Sequence, residues 1–235
     1  MKNSRLKQAL YYQLDYFGWS SLYVYGIAIA AMAAIGLLIT TSGGNGNASL
    51  SIGGVGFVHL LIMGIAEIRS DLKFFLQHGI SRRTTFFSHL YGSLICGAAL
   101  GLFCEFFSLV TSRWLGLAGG GSAFAIQNFL AGWLLHTVTF FFAWQIGALI
   151  SLIYYRLNKM QQIVFSVTAI AAIIFAFSSG IRFLVRVSDE LGDIIQRALE
   201  NTLDFTGAAI WVILLLGILA AAGNYFLLRR AQVKE

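Results

Sequence analysis

Four side chains with chemical capacity stand inside otherwise apolar runs: His59, Glu105, His136 and the neutral Gln145. Ionisable groups in such runs are costly and mark function by default. Counted from the nearest polar loop, His59, Glu105 and His136 fall at similar depth. Together they can line a polar vestibule, with Glu105 paired to one imidazole; alternatively each is satisfied separately by a neighbouring helix. A zinc site built from Glu105, His59 and His136 matches in residue type only, because no H-E-x-x-H or Cys/His spacing accompanies it. No Ser/His/Asp set and no paired carboxylate is placed for hydrolysis. The two cysteines, Cys96 and Cys104, are eight residues apart in one run, about 12 Å along a helix, too far to bridge. They read as small apolar residues.

The elements that must position these groups are set by composition. Of 235 residues, 58% are hydrophobic and 11% charged, where a soluble domain carries about 25% charged residues. That much apolar surface needs lipid as its solvent. Six runs approach the length of a crossing: Trp19 to Thr41, Gly53 to Ile68, Thr85 to Thr111, Ala125 to Tyr155, Ile163 to Phe183 and Phe205 to Leu228. The first contains Ala-x-Ala triplets near Ala28, but its apolar stretch outlasts a signal peptide and reads as a retained helix. Proline is absent, so any bend must come from glycine.

Charge sets the expected orientation. Lys2, Arg5, Lys7, Arg69, Lys73, Arg82, Arg83, Arg156, Lys159, Arg229, Arg230 and Lys234 fall on one side, and only Arg113, Arg182, Arg186 and Arg197 on the other. Both termini and the second-to-third and fourth-to-fifth loops are therefore expected inside the cell, in the plasma membrane. The net charge of +6 is explained by these loops and not by nucleic acid, whose binders gather basic residues on a soluble face.

Three segments outside the crossings read as helices. Residues 1–18 carry the stripe Leu6, Leu10, Leu14 and Phe17 beside Lys2, Arg5 and Lys7, which suits a cytoplasmic interfacial helix. On the other side, residues 181–204 repeat apolar positions at helical spacing after an N-cap at Ser188; they form an amphipathic external helix or a solvated connector. Ser42 to Gly54 and Gly119 to Ser122 are uncharged connectors.

The third is EIRSDLKFFLQHGISRRTT, Glu67 to Thr85. Leu72, Phe75 and Leu76 share a face, and Asp71, Lys73 and Gln77 are polar, giving a short amphipathic helix over residues 70–80. Gly79 falls where a left-handed cap belongs, with Ile80 placed to touch Phe75 as in a Schellman motif. Ser81 can cap the next helix, without a full capping box because Thr84 stands at its third successor. Glu67 is expected to pair with Arg69, Arg82 or Arg83.

This order of elements, and the stretch FFLQHGISRRTTFF in particular, resembles the permease subunits of bacterial type-two ABC exporters. The resemblance implies an all-α polytopic membrane protein, one transmembrane domain over residues 1–235 with six transmembrane helices, an N-terminal interfacial helix, a cytoplasmic coupling helix and an external amphipathic helix. It implies two membrane subunits, identical or different, each docked on a separate ATPase subunit that binds ATP and Mg. Asp71, Lys73, Phe74, Gln77, His78, Gly79 and Arg82 are then the ATPase contacts. The chain itself, lacking any G-x-x-x-x-G-K-[ST] loop, is expected to bind no cofactor and catalyse nothing. Exported molecules of the family are amphipathic peptides, antimicrobial compounds or lipids, for which the aromatic-rich third and fourth crossings can line a path or simply face lipid. The competing readings are an ion-coupled secondary transporter and a non-transporting scaffold.

Overall fold

The computed structural model describes residues 2–41, 52–114, 126–166, 168 and 202–229, and every regular element among them is helical. Five helices carry labels here: α1 (Lys2–Thr41), α2 (Ile52–Gln77), α3 (Arg82–Trp114), α4 (Ile126–Arg156) and α5 (Thr202–Arg229). A shorter helical stretch occupies residues 159–166. Among the described residues, four helices are long and apolar enough to cross a membrane: Ile52–Gln77, Arg82–Val110, Phe129–Arg156 and Ile210–Arg229. The expected fifth crossing beyond residue 168, residues 42–51 of the first connector, the Gly119 to Ser122 connector and all but the last three residues of the 181–204 segment lie outside the described residues; Ile52, Gly53 and Gly54, expected in the first connector, are the opening turn of α2.

Two expected breaks are not made. The interfacial helix over 1–18 and the crossing from Trp19 are one helix of 40 residues, about 60 Å long. Residues 70–77 are the last two turns of α2, not a separate helix. With no proline to remove a hydrogen bond, an intrahelical ladder runs on until a residue with special backbone geometry ends it.

α4 is the central helix, packing on α2, α3 and α5, while α1 lies across α3 and α2. The α2–α4 seam depends on two glycines. A Cβ at Gly64 would overlap the Trp144 carbonyl oxygen, and a Cβ at Gly147 would overlap that of Leu61. Each glycine thus admits the other helix's backbone, the close approach that small residues give packed helices. Around the seam Leu60, Met63, Phe140 and Trp144 close a core with Phe17 and Cys96. Both cysteines are free and buried. The outer faces are apolar too: Trp211 of α5 is 72% exposed and Phe106 of α3 64%. Such side chains on the outside of an already filled bundle fit a lipid surrounding.

Candidate functional site

The turn between α2 and α3 is built as its residues dictate. Gly79 takes φ +70°, its N–H donates to the Leu76 carbonyl at 3.1 Å, and the Ile80 N–H donates to the Phe75 carbonyl at 2.8 Å. These are the two bonds of a Schellman motif, and they need a left-handed residue that glycine adopts without strain. Ser81 then accepts the Thr84 N–H at 3.2 Å, and its hydroxyl meets that of Thr84 at 2.9 Å. α3 therefore starts directly from the end of α2, with two residues between caps.

α1 braces this turn from the side. Arg5 Nη1 donates to the Gly79 carbonyl at 2.9 Å, and Tyr12 stacks on Phe74 with ring centroids 5.2 Å apart. Phe74 also meets the His78 ring at 4.3 Å. Lys73, Phe74, Gln77, His78 and Gly79 are exposed, while Arg82 is partly buried and donates to the Arg229 carbonyl at 3.2 Å. Beside it a cavity of about 340 Å³ is lined by Ser81, Arg82, Arg83, Tyr225, Leu228 and Arg229.

Asp71 is not on this surface. It is 4% exposed, because it stands one turn before Phe75 on the buried face of α2, not on the polar face with Lys73 and Gln77. Gln13 Nε2 of α1 donates to Asp71 Oδ2 at 2.8 Å, and His89 Nε2 of α3 lies 3.3 Å from the same oxygen. Glu67, one turn earlier, is equally buried, and neither of its oxygens has a hydrogen-bond partner. The expected pairing of Glu67 with Arg69, Arg82 or Arg83 is not formed among the described residues: Arg69 lies over the Tyr155 ring at 5.3 Å, Arg82 turns to α5, and Arg83 is exposed at the start of α3. Oxygen atoms of Glu67 and Asp71 and a ring nitrogen of His89 all lie within 4.8 Å of one another. Two buried carboxylates with one imidazole and one amide are a strongly polar core for an apolar bundle.

No family model, curated protein or solved structure matches this chain.

The four polar groups expected along one vestibule divide among three places. His59 is buried between Phe17 and Tyr25, its Nε2 3.2 Å from the Ser21 hydroxyl. His136 Nδ1 meets Glu105 Oε1 at 2.9 Å and the Gly132 carbonyl at 3.0 Å; because a carbonyl only accepts, Nδ1 carries the proton. A Cβ at Gly132 would overlap the Glu105 carboxylate, so the glycine makes room for this pair. Gln145 donates to Ser93 at 3.0 Å and accepts from Asn224 at 2.9 Å, which ties α4 to α3 and α5. The pairing of Glu105 with an imidazole is formed; His59 and Gln145 have separate partners.

The buried set Gln13, Glu67, Asp71 and His89 was not legible as a site. A signal was present: Leu60, Gly64, Glu67, Ile68, Asp71, Leu72 and Phe75 recur at helical spacing, which places both carboxylates in the buried stripe. Nothing in the spacing ties that stripe to His89 or Gln13, which come from other helices.

Proposed function

We propose that this chain is the membrane permease subunit of an ATP-driven exporter of the type-two ABC class, working as one of a pair of membrane subunits with two copies of a separate ATPase. The observation that carries the reading is the Gly79 turn: two helices joined rigidly by a Schellman motif and a serine cap, with Lys73, Phe74, Gln77 and His78 exposed at its tip. A motion imposed on those four side chains passes into α2 and α3 without being absorbed in a flexible loop. The Arg5 bond extends the same connection to α1, and the arginine-lined cavity beside the turn suits an acidic partner surface. The exported molecule in this reading is amphipathic or hydrophobic, the class that the resemblance implies. The cytoplasmic placement of both termini and the six crossings belong to the same proposal.

The test is purification of the tagged full chain in mild detergent, with mass spectrometry of its companions. A stoichiometric partner bearing a phosphate-loop motif is the expected result. Its loss in a Phe74→Ala/His78→Ala variant, with the chain still inserted, assigns the contact to the turn. A partner retained by that variant removes the turn from the interface.

A second reading, an ion-coupled secondary transporter, is favoured by one observation: Glu67 and Asp71 are buried carboxylates inside a helix apolar enough to span a membrane. Coupled transporters place such groups where the ion binds. It predicts a chain that purifies alone and transports without ATP when reconstituted.

A further inference from the structure

We propose that Glu67, Asp71 and His89 form a binding site for a first-row divalent transition-metal ion such as Zn²⁺, joining α2 to α3 close to the Gly79 turn. Two carboxylate oxygens and an imidazole nitrogen converge within 4.8 Å of one another, and Glu67, Asp71 and His89 are each 4% exposed. Both Glu67 oxygens and both His89 ring nitrogens lack hydrogen-bond partners among the described residues. Buried carboxylates are ordinarily paired or bound to a metal, so Glu67 directed at this cluster is a second and separate indication of a cation.

The geometry suits such an ion. The 3.3 Å between Asp71 Oδ2 and His89 Nε2 is about the separation of two tetrahedral ligands with bonds of about 2.0 to 2.1 Å. A Glu67 oxygen lies within 4.8 Å of both, and neither oxygen of that carboxylate is hydrogen-bonded among the described residues. The mixed oxygen and nitrogen set favours Zn²⁺, Mn²⁺, Fe²⁺ or Co²⁺ over Mg²⁺ and Ca²⁺, which take oxygen ligands. Gln13 serves as the supporting group, holding the Asp71 carboxylate in place through its 2.8 Å bond from the amide of a side chain only 1% exposed. Such outer contacts orient metal ligands. This site brings α1, α2 and α3 together in one polar core, and it stands whether or not the chain is an exporter subunit.

The experiment uses the full chain in detergent, stripped with chelator and titrated with Co²⁺ as a spectroscopic probe. The expected result is one Co²⁺ per chain with visible ligand-field absorption, displaced by Zn²⁺, and a rise in melting temperature on metal addition. Glu67→Gln and His89→Gln should each weaken binding about tenfold or more, while the exposed His78→Gln binds as the parent does. Metal-free Glu67→Gln should melt no lower than the parent, because it replaces a buried unpaired carboxylate by a neutral amide; if it fails to fold, Asp71→Asn takes its place. No Co²⁺ binding by the parent, or binding unchanged in both Glu67→Gln and His89→Gln, overturns the site in favour of a protonated carboxyl cluster. Loss of binding in His78→Gln alone overturns it in favour of an exposed surface histidine.

Discussion

Between Leu61 and Gly64, α2 lies so close on α4 that neither helix has room for a single added carbon; one turn later the same helix buries Glu67 and Asp71 against α1 and α3. The first region is held by shape, through backbone and apolar atoms in contact on both sides. The second packs Ile68 and Leu72 against Ala148, Leu152 and Leu228 but adds to them buried polar groups that are incompletely paired. Shape tolerates almost no substitution, because the atoms in the way are main chain and cannot swing aside. An incompletely paired polar core is the opposite: its energy changes with protonation, a bound ion or a neighbouring charge. α2 thus has its middle fixed by backbone contact and its later turns lined by incompletely paired polar groups, and the exposed turn that follows is attached to the second.

The largest effect that separates the two regions is expected at Gly147. Gly147→Val places carbon against the Leu61 carbonyl and should cost about 3 kcal/mol or prevent assembly of the bundle, read as thermal unfolding in detergent. Gly26→Ala on α1, where an added Cβ meets nothing within 4 Å, should be neutral or stabilising. Equal effects at the two sites would break the contrast. A smaller effect is expected at the polar link on the other side of α4. Gln145→Leu removes the side-chain bond to Ser93 and one of the two from Asn224, whose Nδ2 keeps the Gln145 main-chain carbonyl, and should cost about 1 to 3 kcal/mol, part of it recovered when Asn224→Leu is added. Smallest is Arg5→Ala, which removes one exposed bond to the Gly79 carbonyl. Its global cost should stay under about 1 kcal/mol, with faster amide exchange confined to the turn; a large fall in melting temperature would make α1 part of the fixed region after all.

Much of the architecture can be read from the chain alone because its apolar runs are long. The runs beginning near Gly53, Thr85, Ala125 and Phe205 coincide with α2, α3, α4 and α5 to within a few residues at the start of each, and the Gly79 cap follows from one glycine after an amphipathic turn. Polarity alone does not say which face a residue occupies. Asp71 is polar like Lys73 and Gln77, yet helical spacing puts it beside Phe75. His59, Glu105, His136 and Gln145 stand in apolar runs, but depth carries no information on which face of a helix each one occupies. His89 stands near the polar start of α3, with Ser88, Arg82 and Arg83, where local sequence does not distinguish it from a solvated residue.

That the chain is helical and apolar enough for lipid, where α2, α3, α4 and α5 start and where α2 turns into α3 follow from local sequence. Those features depend on local hydrogen bonding, residue conformation and the total of apolar area, all of which are properties of contiguous residues. Packing between helices is what sets Gly64 and Gly147 face to face, makes Gln145 join three helices, and brings Gln13, Glu67, Asp71 and His89 to one buried place. The reason is geometric: each contact joins residues from different helices, and the rotation and depth of one helix against another are fixed by how all the side chains between them fit.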